Sequence, residues 1–180
     1  MRARNERLVL TLIRRQGALA KARIADITGL SAQTVSVIVR KLEADDLLLR
    51  GEPQRGRVGQ PSVPLSLNPD GAFFIGAKIG RRSLDVVLVD FTGNVRRSSS
   101  RSYPYPKPKQ VVAAIIEEAE ACKADLNWRD RNRIAGIGVA MPFRLWHWAD
   151  EIGAPAKAMD AWRRFDVLSE LEAKLLYPAY

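Results

Sequence analysis

The chain has 180 residues, 47% of them hydrophobic, which is enough for one good core or two modest ones, and a formal net charge of +9 that favours an anionic partner held in a salt-dependent way. Its single cysteine, Cys122, excludes an internal disulfide and a thiolate cluster for structural zinc. No apolar run approaches the roughly 18 residues of a membrane span, and M-R-A-R-N-E-R is not followed by a signal-peptide core, so a soluble cytoplasmic protein is expected.

The charge is unevenly placed. Residues 1–68 carry 12 Lys and Arg against 6 Asp and Glu, while residues 69–180 carry 17 against 14. In chain order, a first helix is predicted over Asn5 to Gln16, where Leu8 with Leu12 and Val9 with Ile13 make two i,i+4 pairs and Gly17 supplies a stop. A short second helix over Lys21 to Thr28 turns Ile24 and Ile27 inward. Ala20 leaves its start without a side-chain cap. Gly29 gives the turn, Ser31 is a good N-cap, and a third helix over Ala32 to Ala44 buries Val35, Ile38, Val39 and Leu42.

Two strands, Leu47 to Arg50 and Val63 to Leu67, flank a loop broken by Gly51, Pro53, Gly56, Gly59 and Pro61. Helix, turn, helix and a basic hairpin is the order of a winged helix-turn-helix. Asn68-Pro69-Asp70-Gly71 is a turn and the expected domain boundary, giving domains 1–68 and 72–180. Beyond it, strands are predicted over Phe73 to Ile79, Leu84 to Asp90 and Val95 to Tyr103. A Pro-rich linker then leads to a helix over Lys109 to Asp125 that buries Val111, Ile115, Ala119 and Cys122. A strand over Ile134 to Met141 and a helix over Asp166 to Leu175 complete the order of a ribonuclease H-like lobe. The sequence reaches Tyr180 just where a further strand of that lobe is expected. The fold class is thus α+β and α/β, an N-terminal winged helix-turn-helix followed by a partial ribonuclease H-like lobe.

The buried stripe of the third helix forces Gln33, Thr34, Ser36 and Arg40 outward. Gln pairs bidentately with adenine, Thr and Ser reach phosphates or base edges, and Arg suits a phosphate. The competing reading is an ordinary solvated helix face. Arg55 and Arg57, with Gly59 and Gln60 after them, form a slim cationic loop able to enter a minor groove. Its competing reading is a charged solvated loop. Ser31, Gln33, Thr34, Ser36, Arg40, Arg55, Arg57, Gly59 and Gln60 are therefore the candidate DNA-binding residues. No spacing among Asp85, Asp90, Asp150 and Glu151 indicates a metal site or acid/base pair. His147, the only histidine, lies between Trp146 and Trp148 and reads as a surface or packing residue. Catalytic residues, metal ligands and cofactors are not expected.

The helix-turn-helix, G-Q-P-S-V-P-L-S-L-N-P-D-G-A-F-F-I-G, L-V-D-F-T-G-N-V and I-A-G-I-G-V-A-M-P together resemble the ROK family of sugar-responsive transcriptional regulators and sugar kinases. The likeness is to the regulator branch, which carries a DNA-binding domain ahead of a sugar-kinase-like domain. It implies a regulator of carbohydrate-related genes that binds double-stranded DNA, with a sugar or sugar-phosphate effector and a homodimer in a full-length form. Kinases of the family have an acidic residue and a Gly-Gly-Thr phosphate loop after the first strand. G-A-K-I-G-R-R-S instead puts Lys78 at the acidic position and Arg81-Arg82 in the loop, which argues against ATP use. The family's catalytic Asp, its sugar-contacting residues and its zinc motif correspond to positions past Tyr180, so the sugar-sensing part is expected to be degenerate and truncated. A ROK-type sugar kinase with an added N-terminal domain, or an inactive gene fragment, are the alternatives.

Overall fold

A computed structural model describes residues 2–54 and 62–180. The chain forms two compact units, Met1–Gly71 and Ala72–Tyr180. The first contains α1 (Arg2–Gln16), β1 (Leu19–Ala20), α2 (Lys21–Thr28), α3 (Ala32–Ala44), β2 (Leu48–Arg50) and β3 (Pro64–Leu67). Gly17 ends α1 in a left-handed conformation, φ +82°, and its N–H donates to the Ile13 carbonyl. Val9, Ile13, Ile24, Val35, Ile38, Val39 and Leu42 close the core with Leu48, Leu65 and Leu67 from the strands.

The inward assignment of Ile27 is corrected, and Leu8 of the Leu8–Leu12 pair also lies outward. Leu8 is 43% and Ile27 36% exposed, because the Val9–Ile13 pair and Ile24 already fill the space beneath α1 and α2. The hairpin strands β2 and β3 pair antiparallel, and β1 joins the free edge of β3 to make a three-stranded sheet in the order β1-β3-β2. A two-residue strand has no sequence period of its own. It exists only because Leu19 and Ala20 find Leu65 and Pro64 across the sheet.

The second unit is built on a four-stranded sheet of β4 (Phe73–Ile79), β5 (Ser83–Asp90), β6 (Val95–Ser102) and β7 (Ile134–Ala140), ordered β6-β5-β4-β7. The first three strands run as an antiparallel meander and β7 lies parallel to β4. The right length for that crossover comes from α4 (Pro108–Asp125). On β5 buried and half-buried residues alternate strictly, so Leu84, Val86 and Leu88 face Val111, Val112, Ile115 and Ala119 of α4. Pro178, Ala179 and Tyr180 take a fifth position beside β7: the Ile137 N–H donates to Pro178, the Tyr180 N–H to Ile137 and the Val139 N–H to Tyr180. This is a ribonuclease H-like lobe. Between β7 and the C-terminus lie α5 (Ala149–Ile152), α6 (Ala156–Asp160) and α7 (Val167–Glu172), shorter than the predicted single helix over Asp166 to Leu175.

Strand β6 is an edge, and its sequence V-R-R-S-S-S-R-S blunts it with cations and hydroxyls. Those groups also tie it to α4. Glu118, 5% exposed, accepts from the Ser99 hydroxyl at 2.8 Å and Arg101 Nε at 2.6 Å, while Arg97 donates to Asp125 at 2.7 Å.

The β5–β6 turn depends on Asp90, only 1% exposed, whose carboxylate accepts from the Thr92 N–H and hydroxyl, the Asn94 N–H and Arg96 Nε at 2.7–3.0 Å. Burial alone would raise its pKa, but these donors together hold it well below the usual carboxylate range. A group depressed in the folded state stabilises above its unfolded pKa and loses that contribution as pH falls. Asp90→Asn is expected to lower the stability of this unit by about 2 kcal/mol at neutral pH. The gap to wild type should narrow by about 1 kcal/mol at pH 3, below the unfolded value of about 3.9. Urea unfolding followed by tryptophan fluorescence measures it, since Trp128, Trp146, Trp148 and Trp162 all lie in the second unit.

Candidate nucleic-acid interface

The turn between α2 and α3 is built from local hydrogen bonds. Gly29 sits in the left-handed region at φ +69° and donates to the Ala25 carbonyl, so α2 stops without strain. The Thr28 hydroxyl donates to the Ile24 carbonyl at 2.6 Å. Ser31 caps α3 by accepting from the Thr34 N–H at 3.1 Å, and the two hydroxyl oxygens lie 2.8 Å apart. Ser31 and Thr34 therefore set the start of α3 first, whatever else they contact.

A helix advances about 100° per residue. Val35, Ile38, Val39 and Leu42 occupy the buried side of α3, so Gln33, Val37, Arg40 and Ala44 lie along the opposite line, and all four are exposed. Thr34 and Ser36 fall at the margins and are half-buried. Of the expected residues, the outward line thus brings together Gln33 and Arg40. Val37, 46% exposed, stands between them and was passed over by sequence reasoning, although the same helical count would have found it. Arg40 has no carboxylate partner among the described residues.

Two ion pairs fix how α3 is presented. Lys41 Nζ lies 2.9 Å from both Glu6 oxygens on α1, and Arg50 of β2 forms a bidentate pair with Glu43. The hydrogen bond from Arg50 lowers the Glu43 pKa against the opposing effect of burial. The second pair links the last turn of α3 to the first strand of the hairpin, whose stem continues through reciprocal bonds between Gln54 and Ser62 at 2.8 and 3.0 Å. Arg55, Arg57, Gly59 and Gln60 lie outside the described residues. The first unit also contains no Phe, Tyr or Trp, so it lacks the stacking platforms that hold single-stranded bases.

In the second unit the β4–β5 turn was the place to look for a phosphate loop. Arg81 pairs with Glu151 at 3.1 Å and lies over the Trp148 ring at 4.6 Å. Arg82 donates to the carbonyls of Pro104 and Ile152 at 3.3 and 3.1 Å. The Tyr103 hydroxyl sits 2.8 and 2.7 Å from the carbonyls of Gly80 and Ser83, and burial pushes its pKa up to about 12. Both arginines are exposed, as in a solvated turn, and their contacts also fasten the turn to neighbouring segments. Lys78 lies 3.7 Å from Asp85. His147 is exposed, edge-on to Trp146. Among the described residues, no group of three or more His, Cys, Asp and Glu is placed to hold a metal, and no helix is long and apolar enough to cross a membrane.

A family model for winged helix-turn-helix DNA-binding domains matches residues 2–48. The chain is 21% identical to the xylose repressor of Bacillus subtilis over 176 residues, 98% of this chain and 45% of that protein. It is 30% identical to a transcriptional regulator of Mycobacterium bovis over 136 residues, 74% of this chain and 30% of the regulator. A crystal structure of a ROK-family transcriptional regulator, a homologue of the E. coli MLC protein, superposes with a TM-score of 0.66 at 18% identity, covering 99% of this chain and 45% of that one. The ROK likeness read from the motifs is met in the fold, and the chain spans less than half the length of these relatives.

The Ser31 cap gives a direct check on how α3 begins. Ser31→Ala is expected to cost the first unit about 1 kcal/mol. Thermal unfolding by far-UV circular dichroism should show it, with the tryptophan transition of the second unit unmoved.

Proposed function

We propose that the chain is a double-stranded-DNA-binding transcriptional regulator of the ROK type, with α3 in the major groove and the loop between β2 and β3 against the adjacent minor groove. The observation that carries this reading is the line Gln33–Val37–Arg40, turned directly away from the core on a helix whose start is capped by Ser31. Gln33 supplies a bidentate partner for adenine, Arg40 a phosphate contact, and Ser31, Thr34 and Ser36 further phosphate or base-edge contacts. Arg55 and Arg57, with Gly59 and Gln60 giving room, enter the minor groove. The Glu43–Arg50 pair holds that hairpin in a fixed relation to α3. With no aromatic side chain in the unit, duplex DNA is favoured over single strands.

Regulation of carbohydrate-related genes follows from the likeness to the xylose repressor. A sugar or sugar-phosphate effector and a homodimer that reads paired half-sites belong, in this proposal, to a full-length form. The second unit acts as a structural lobe and not as a phosphotransferase: a metal-bound triphosphate needs approachable backbone amides and a carboxylate, and the β4–β5 turn offers Lys78 and two arginines already engaged by Glu151 and by carbonyls. Such a protein works in the cytoplasm.

Fluorescence anisotropy of the chain on random-sequence duplex DNA, titrated with salt, tests the reading. Affinity should fall steeply with salt. The log–log slope should become shallower by about 1 in Arg40→Ala and about 2 in the Arg55→Ala/Arg57→Ala double variant. A folded protein that fails to bind at low salt would overturn it.

A further inference from the structure

Val37 is the one branched apolar side chain on the outward line of α3, where the only other apolar residue is Ala44 in its last turn. The neighbours of Val37 on that line are Gln33, one turn before it, and Arg40, one turn after. It is 46% exposed and lines a shallow depression of about 380 Å³ with Asn5, Gln33, Thr34 and Ile38. A valine in a helix holds essentially one side-chain rotamer, so its two methyl groups are presented in a fixed direction, unlike the flexible Gln and Arg beside it. Single surface valines are common and need no cause. What distinguishes this one is its place: it is diametrically opposite the buried stripe, at the centre of the surface that would enter the groove.

We propose that Val37 is a specificity-determining residue that packs against the C5-methyl group of a thymine. The inference rests on the reading of α3 as the groove-entering helix. In the major groove the thymine methyl is the only apolar feature that separates one base pair from another. Helix rise is about 1.5 Å per residue, so Val37 lies about 6 Å along the axis from Gln33. That displacement places it one or two base pairs from an adenine held by Gln33. The two residues together would select an A·T-containing half-site, with Gln33 reading a hydrogen-bonding edge and Val37 a methyl.

The test begins with selection of duplexes from a random library by the full chain, followed by single replacement of each thymine in the enriched site with uracil, which removes only the methyl group. Wild type is expected to lose about fourfold in affinity at one thymine per half-site, the effect of one buried methyl group. Val37→Ala should be nearly insensitive at that same position, and Val37→Ile should restore the loss. Both variants keep a good fold, since the position is exposed and Ala and Ile are tolerated in helices, and circular dichroism checks this. A flat uracil scan with wild type, or an undiminished loss with Val37→Ala, overturns the role of Val37 while leaving DNA binding intact. Failure to enrich any sequence overturns the groove-reading assignment of α3 itself.

Discussion

Everything proposed for the first unit depends on the burial of four side chains on one side of α3. Val35, Ile38, Val39 and Leu42 are each no more than 4% exposed. Taking them out of water fixes the rotation of the helix about its axis, because turning it by even one residue would expose apolar groups and bury Gln33 or Arg40 unpaired. The outward line is thus not chosen separately for function. It is what remains once the core has been satisfied, and its chemistry is set by the residues left there.

Local hydrogen bonds and ion pairs then convert that rotation into a defined presentation. Gly29 and the Ser31 cap settle where α3 begins, Lys41 with Glu6 ties it to α1, and Glu43 with Arg50 ties it to the hairpin. Exposed ion pairs of this kind contribute little to stability. Their effect is geometric, holding the helix and the wing strand in one arrangement. The second unit shows a similar division: apolar strands and α4 make the core, while Asp90 organises a turn and Glu118 and Arg101 fasten an edge strand.

The bounds of α2 and α3 were legible to the residue because period and cap agree: Ile24 and the α3 stripe give the apolar spacing, and Gly29 and Ser31 punctuate it. Strands β4 to β7 were legible within one residue at either end: β4, β5 and β7 are apolar or alternating runs, and the polar β6 is bounded by the turn before Val95 and the Pro-rich segment after Tyr103. What failed was set by tertiary context. The β1 strand needs β3 to exist, and Ile27 is outward because Ile24 suffices beneath α2. The short helices α5 and α6 carry too few residues to show a period. The contacts of Arg81 and Arg82 were not legible, because their partners Glu151, Pro104 and Ile152 are distant along the chain. At the candidate interface Gln33 and Arg40 were legible from the helical count, and the same count places Val37, which was passed over, on their line.

Hydrogen–deuterium exchange of the full chain with and without duplex DNA addresses the central claim most directly, since it locates the contact without a substitution. The account predicts added protection over residues 31–41 and 50–62, with the amides of β4 to β7 unchanged. Protection confined to the second unit, with residues 31–41 exchanging as in the free protein, would contradict it.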